Sequence, residues 1–149
     1  MIIKNCITIG ILSLIILGLS SCVTYYIPLQ SFYEQFKDID STELKIVNTR
    51  GPMGDVVSYN TYPIEYIKCV DKNNNPIELK NSPSIEARFT DKNNKRTIFY
   101  IDQIYVQDSI VIGDGSRFIY HQKVIPIKTI KLIEVQDGHK NFRYVDKKK

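Results

Sequence analysis

Apolar and polar positions divide the 149-residue chain into three parts. Positions 6–19 hold an unbroken apolar run, CITIGILSLIILGL. Four large side chains then recur at the spacing of one helix face, and these are Leu29, Phe32, Tyr33 and Phe36. From Glu43 onward, β-branched and aromatic residues are dense and clusters of turn residues interrupt them, which is typical of strands. The pattern therefore predicts a short helix followed by a mainly β domain.

The β region predicts either a small antiparallel barrel of the SH3-like type or a sandwich. Gly51-Pro52-Met53-Gly54 opens a loop that we expect to continue to Asn60. The predicted strands are residues 43–48, 62–70, 77–79, 85–90, 97–101, 103–106, 109–112, 118–121, 123–125, 132–135 and 142–145.

Two turns share a sequence, because Asp-Lys-Asn-Asn occurs at 71–74 and again at 91–94. Asn tolerates the positive φ that tight hairpins require, so each copy predicts a hairpin between the strands that flank it. Two consecutive hairpins predict a meander. Gly113-Asp114-Gly115 and Asp137-Gly138 predict two further turns.

The N-terminus has the three parts of a secretory signal peptide. A short basic start with Lys4 precedes the apolar run, and Ser20 and Ser21 follow it. The run is shorter than the roughly 20 residues that a membrane-spanning helix needs.

Leu19-Ser20-Ser21-Cys22 resembles the lipobox of bacterial lipoproteins, in which an aliphatic residue and two small residues precede an invariant cysteine. The resemblance implies cleavage between Ser21 and Cys22, a diacylglyceryl group on the Cys22 thiol and acylation of the new amine. Two or three acyl chains anchor a protein firmly to a bilayer. An uncleaved signal anchor and a simple cleaved signal are the alternatives.

Two further features bear on the compartment by the same resemblance. Val23 stands where some lipoproteins carry the Asp that retains them at the inner membrane, and positions 24–28 lack the acidic run that marks surface export. The resemblance therefore implies a cell-envelope protein on the outer membrane that faces the periplasm. A Gram-positive host with a single membrane is the other alternative.

Residues 108–135 predict a strand, one 3₁₀ turn at 128–130 and a closing strand. Pro126 has no backbone N–H, so its strand either ends there or lies at an edge. This arrangement resembles the small β-rich modules of lipoproteins of the Bacteroidetes, and the resemblance covers only this stretch.

The helical face lies just after Cys22, where a tether is the alternative to a helix and an interfacial helix is a third option. Pro28 suits the first turn of a helix, and we predict a short helix. The predicted organisation is a removed signal peptide, a lipidated tether or short helix, a β domain and a basic tail, at 1–21, 22–41, 42–146 and 147–149.

Charge and cysteine content narrow the class of protein. The net charge is +4, and removal of Lys4 leaves a surplus that matches the three lysines at 147–149. A near-neutral body argues against a nucleic-acid binder, and 43% hydrophobic residues argue against disorder. With Cys6 removed and Cys22 lipidated, Cys69 has no disulfide partner, and we expect a buried, unreactive thiol.

No candidate for catalysis stands out in the sequence. His121 and His139 lack the companions that a zinc site needs, and Gly-x-Ser-x-Gly does not occur. Glu65, Glu86 and Glu134 each stand between apolar neighbours, which favours a solvent-facing strand position. We therefore predict no metal, no cofactor and no enzymatic activity.

Six tyrosines form the candidate partner or ligand face, with packing at the rim of the core as the alternative. They fall in two groups along the chain, and these are Tyr59, Tyr62 and Tyr66, and Tyr100, Tyr105 and Tyr120. The leading hypothesis is a non-enzymatic binding or scaffolding module, anchored to the membrane through Cys22, with an envelope protein as partner. The alternatives are a small-molecule carrier with its ligand in or on the β-barrel, and a hydrolase of envelope polymers.

Overall fold

A computed structural model of the protein describes residues 23–39, 44–62, 64–117 and 121–146. None of the helices in these ranges has the length and apolar character needed to cross a membrane. The elements, in chain order, are β1 (Thr24–Tyr26), α1 (Leu29–Phe36), β2 (Lys45–Arg50), β3 (Val56–Thr61), β4 (Tyr66–Val70), β5 (Pro76–Lys80), β6 (Ile85–Asp91), β7 (Arg96–Tyr100), a 3₁₀ turn (Ile101–Gln103), β8 (Tyr105–Gln107), β9 (Ile110–Asp114), β10 (Gln122–Pro126), a second 3₁₀ turn (Ile127–Thr129), β11 (Ile130–Asp137) and β12 (Arg143–Val145).

The strands form three antiparallel sheets. The largest has six strands in the order β5-β4-β1-β11-β6-β7, and the two smaller sheets have the orders β10-β9-β8 and β12-β2-β3. The predicted mainly β class with a short helix is confirmed. Of the two predicted architectures the fold matches the sandwich, because within the described ranges no sheet closes into a barrel.

Both Asp-Lys-Asn-Asn turns are hairpin turns, as predicted. Asn74 has φ 63° and Asn94 has φ 61°, the left-handed region that Asn tolerates. In each turn the carboxylate of the first residue accepts hydrogen bonds from backbone N–H groups two and four residues later, for example Asp71 from Asn73 at 2.7 Å. The hairpins β4–β5 and β6–β7 follow from these local contacts.

The predicted meander is wrong, because the two hairpins are not neighbours. β1 and β11 lie between them, with β1 paired to both β4 and β11. A meander requires consecutive strands to pair, and here strands from the two ends of the domain meet in the middle of the sheet. The turn sequences carry no information on that choice.

The predicted short helix is confirmed as α1, and its buried face forms part of the core. Phe32 and Phe36 are completely buried, and their rings stack with centroids 4.6 Å apart. Phe32 also meets Phe89 of β6 edge-on at 5.3 Å. Burial of a phenylalanine side chain contributes about 1.5–3 kcal/mol, so α1 is held to the six-stranded sheet by its aromatic face.

The predicted boundary between a tether and the β domain, near residue 42, needs correction. β1 is a central strand of the largest sheet, and α1 covers that sheet. Thr24–Tyr26 and Leu29–Phe36 therefore belong to the folded domain. β1 forms the backbone hydrogen bonds that the facing edges of β4 and β11 would otherwise lack, and this explains why the segment is part of the sheet.

Two local predictions around β9 and β10 have different outcomes. Pro126 ends β10, an edge strand, and a 3₁₀ turn follows at Ile127–Thr129, as predicted to within one residue. Gly113, however, lies in β9 and not in a turn. A Cβ added at this position would lie 2.9 Å from the Phe99 ring, so glycine is needed for close packing.

β3 was predicted as part of a loop, and this was wrong. Its sequence, VVSYNT, contains Ser and Asn, which are depleted in strands. The complete antiparallel ladder with β2 overrides that local preference, and it runs from Lys45 opposite Thr61 to Arg50 opposite Val56. The predicted strand 118–121 lies outside the described residues except for His121.

Candidate functional site

A buried ion pair lies between the large sheet and the β12-β2-β3 sheet. Asp102 is in the 3₁₀ turn that follows β7, and Arg117 is in the segment after β9. Arg117 Nη2 lies 2.9 Å from Asp102 Oδ1, and Nη1 lies 3.3 Å from Oδ2. Neither side chain has any exposed surface. Such a pair needs further hydrogen bonds to offset the loss of hydration.

Two tyrosine hydroxyls supply those bonds to the carboxylate. Tyr59 of β3 donates to Asp102 Oδ2 at 2.8 Å, and Tyr144 of β12 donates to the same oxygen at 2.7 Å. Thr49 of β2 donates in turn to the Tyr59 oxygen at 3.0 Å. Burial, and secondarily the negative charge of Asp102, raises the pKa of both tyrosines, so both remain protonated donors. We call Asp102, Arg117, Tyr59 and Tyr144 the Asp102 cluster.

The guanidinium of Arg117 is enclosed by aromatic rings. Its carbon lies 3.9 Å from the Tyr100 centroid, 4.9 Å from that of Tyr59 and 5.5 Å from that of Phe142. Nη2 also donates to the Pro83 carbonyl. A desolvated cation–π contact contributes about 2 kcal/mol or more, so the aromatic rings stabilise a guanidinium whose side chain has no exposed surface.

The Asp102 cluster attaches the small β12-β2-β3 sheet to the rest of the protein. The hydrophobic core comprises residues of the other two sheets, α1 and the connecting segments, and includes no residue of β2, β3 or β12. Instead, Tyr59 and Tyr144 donate hydrogen bonds to Asp102, and Thr49 donates to the Tyr59 hydroxyl. The backbone carbonyl of Asp102 also accepts bonds from the Thr61 hydroxyl and the Tyr62 N–H. Polar contacts therefore position this sheet.

An open cleft of about 450 Å³ lies beside the cluster, and we call it the tyrosine cleft. The Tyr62 and Tyr105 rings lie 5.2 Å apart and are tilted by 44°. Burial, together with Tyr105 and Asp114, raises the pKa of Tyr62 to about 12. Three tyrosines, three amides, a carboxylate, a serine, an arginine and one leucine line the tyrosine cleft. These residues are Leu44, Tyr59, Asn60, Tyr62, Gln103, Tyr105, Asp114, Ser116, Arg117 and Gln122.

Three of the six predicted tyrosines meet in this cleft, although they come from both sequence groups. Tyr100 is buried against Arg117 and serves the core, which matches the alternative interpretation. Tyr66 is half exposed on β4 and does not line the cleft. Tyr120 lies outside the described residues.

The sequence did not identify Asp102, Arg117 or Tyr144. A signal was available at Asp102, which stands in the apolar stretch Tyr-Ile-Asp-Gln-Ile. The same pattern at Glu86 predicts a solvent-facing residue, and that prediction is wrong. Glu86 is 6% exposed and forms an ion pair with Lys140. A single acidic residue in an apolar stretch therefore lies either at the surface or in the interior beside a basic residue.

Other predicted residues lie apart from the cleft or outside the structure. Ser21 and Cys22 precede the first described residue, so the predicted cleavage and lipidation remain predictions. Cys69 is a buried free thiol, as predicted, and burial raises its pKa to about 11. In the described part of the chain, no three His, Cys, Asp or Glu residues are grouped as a metal site would require.

The chain matches no protein-family model, no curated protein and no solved structure.

Proposed function

We propose that the protein is a lipid-anchored module of the cell envelope that binds an extended segment of a partner protein and performs no chemistry of its own. The observation that carries the proposal is the free edge of β3, which runs alongside the tyrosine cleft. Tyr59 and Asn60 belong to both features. An extended peptide added to a sheet edge gains affinity from main-chain hydrogen bonds and specificity from pockets for its side chains.

β3 is the outer strand of its sheet, and no other strand of the described chain pairs with its outer edge. Apart from the ladder with β2, residues 56–61 form no backbone–backbone hydrogen bond within the described chain. A row of unpaired N–H and C=O groups has a pattern that another polypeptide strand complements.

β3 also lacks the features that protect other edges from pairing. Its six residues include no charge and no proline. Edge strands of natural proteins usually carry such residues to prevent association. The other outer strands, apart from the three-residue β8, carry them, and the residues are Pro76, Glu78 and Lys80 of β5, Arg96 of β7, Lys123 and Pro126 of β10, and Arg143 of β12.

The convergent polar groups favour binding over catalysis. The side chains of Asp102 and Arg117 have no exposed surface and are paired with each other, so neither carboxylate nor guanidinium can reach a substrate in the cleft. An enclosed carrier is also disfavoured, because packed phenylalanine rings fill the space between α1 and the six-stranded sheet.

The lipid anchor, which rests on the lipobox resemblance, would act at short range. β1 begins at Thr24, two residues after Cys22, so little chain separates the acylated residue from the six-stranded sheet. Confinement near the bilayer raises the effective concentration of membrane partners, which makes a weak strand-to-edge contact sufficient.

Site-specific photo-crosslinking in the native envelope tests the binding proposal. A photoreactive residue at Asn60, in the cleft, should give a discrete crosslinked product, whereas the same residue at Glu78, on the exposed edge of β5, should not. Equal products from both positions, or none from Asn60, would contradict the proposed site.

A matched pair of variants separates edge pairing from general surface effects. Ser58 of β3 donates a hydrogen bond to Asn48 of β2, so Ser58→Lys and Asn48→Lys remove the same bond and add the same charge. We expect only Ser58→Lys to abolish crosslinking, because it alone places a charge on the free edge. For the anchor, Cys22→Ser should abolish labelling by a clickable fatty acid and release the protein from membranes.

A further inference from the structure

Two arginines face each other on the outer side of the β12-β2-β3 sheet. The register of β12 with β2 places Arg143 directly opposite Arg50, and both side chains are exposed. Like charges in directly opposite positions of an antiparallel pair destabilise it. The arrangement therefore carries a cost unless an anion lies between the two guanidinium groups.

No group in the described chain offsets this repulsion. Neither arginine forms an ion pair or a hydrogen bond through its side chain with any described residue. The carboxylate of Asp55 is nearby, beside Gly51 at the hairpin between β2 and β3, but it is not within ion-pairing distance of Arg50.

The two arginines line an open cleft of about 480 Å³. Gly51, Pro52 and Gly54 of the β2–β3 hairpin form another part of its wall. Gly54 has φ +88°, and a Cβ added there would meet no atom within 4 Å, so the space beside the hairpin is unobstructed. We call this the arginine cleft.

We propose that the arginine cleft binds a phosphate group, with Arg50 and Arg143 donating hydrogen bonds to different phosphate oxygens. A guanidinium presents a rigid planar fork of donors that matches phosphate. The oxygens of a tetrahedral phosphate point in different directions, so two forks on neighbouring strands can each bind a different oxygen, and inorganic phosphate and a phosphodiester both carry at least two unesterified oxygens. The phosphate belongs either to a free anion or to a lipid headgroup.

This site is separate from the free edge of β3. Its two arginines lie on β2 and β12, whereas the free edge is on the side of β3 that faces away from β2. Tyr144 also lines the arginine cleft, while its hydroxyl donates to Asp102. A bound phosphate would also join β12 to β2, since each strand supplies one arginine.

Titration with inorganic phosphate, followed by NMR of the arginine Nε–Hε groups, tests the site on the full chain in detergent micelles. Chloride is exchanged to hold the ionic strength constant, because salt screens exposed charges. We expect saturable shifts of Arg50 and Arg143 at millimolar phosphate. Arg50→Gln and Arg143→Gln should each weaken binding about tenfold, the effect of losing a charge-assisted bond.

Arg96→Gln is the matched control, because Arg96 is an exposed strand arginine on the six-stranded sheet. It should leave the affinity unchanged, and Arg50→Lys should give an intermediate loss because it keeps the charge without the fork. Equal weakening by Arg96→Gln, or no saturable shift with phosphate, would overturn the proposal.

The source of the phosphate is identified by repeating the spectra in nanodiscs without added phosphate. Both lipids carry a phosphate, but the choline of phosphatidylcholine neutralises its charge. Shifts of both arginines in phosphatidylglycerol discs, but not in phosphatidylcholine discs, therefore support the phosphate of an anionic lipid headgroup. Shifts that require added inorganic phosphate in both kinds of disc support a soluble phosphate ligand. Neither outcome depends on crosslinking at Asn60, so the site and the proposed function can fail separately.

Discussion

Asp102→Asn is the substitution that tests most directly how the small sheet is held. The amide is nearly the same size as the carboxylate, so packing is preserved while the negative charge is lost. Arg117, which has no exposed side-chain surface, would then be a buried cation without a counter-ion. Removal of one partner of a buried ion pair costs about 3–5 kcal/mol.

That cost is large relative to the total stability of a domain, which is about 5–15 kcal/mol. The hydrogen bonds from Tyr59 and Tyr144 both end on Asp102 Oδ2 and would lose their charged acceptor, which acts in the same direction. We therefore expect Asp102→Asn to reduce the free energy of unfolding by at least about 3 kcal/mol.

Urea unfolding followed by circular dichroism measures the free energy of unfolding. Asp55→Asn is the control, because it makes the same chemical change at an exposed position and should alter stability by no more than about 0.5 kcal/mol. Asp102→Asn combined with Arg117→Gln should cost less than the sum of the single changes, with a coupling of roughly 0.5–3 kcal/mol.

Hydrogen exchange locates the effect. Since polar contacts on Asp102 hold β2, β3 and β12, we expect their amides to lose protection in Asp102→Asn while those of the six-stranded sheet change less. A loss of stability below about 1 kcal/mol would refute the reasoning, because it would show that the Arg117 charge does not depend on Asp102. Uniform loss of protection across all three sheets would refute the separate attachment of the small sheet.

Three further predictions concern the core and the buried titratable groups. Phe32→Ala should lower stability by about 3–5 kcal/mol in the same urea assay, because its completely buried ring contacts two other phenylalanines; a cost below about 1 kcal/mol would contradict that packing. The pKa of Tyr62 is raised from 10.0 to about 12, so above pH 10 the unfolded chain releases its proton first and stability should fall as the pH rises towards 12; Tyr62→Phe should reduce that fall, and an unchanged profile would contradict it. Burial raises the pKa of Cys69 to about 11, so iodoacetamide should alkylate the native protein at pH 8 far more slowly than the urea-unfolded chain, as mass spectrometry would show, and equal rates would exclude a buried thiol.

Local chemistry in the sequence predicted several elements well. The two Asp-Lys-Asn-Asn turns, the apolar face of α1 and the end of β10 at Pro126 all depend on residues close together in the chain. The tyrosine face was predicted in part, because large aromatic side chains with a polar tip suit a cleft wall wherever they are located.

The elements that were missed depend on contacts between distant residues. The polar strand β3 exists because β2 supplies a complete ladder, and the meander fails because β1 and β11 separate the two hairpins. Strand propensities within a short stretch of sequence do not show which distant strands will pair, so neither feature can be predicted from them.

The sequence by itself determined the turn conformations, the helix face, the mainly β composition and the residue types of a predicted lipid-anchor signal, because each of these follows from a few neighbouring residues. Only the tertiary structure decided that Asp102 and Arg117 are buried together, that Tyr59 and Tyr144 complete their hydrogen bonds and that Arg50 faces Arg143. The physical reason is that desolvation and strand register are properties of assembled sheets. An acidic or basic side chain has the same chemistry in the sequence whether it ends in water or against its counter-ion.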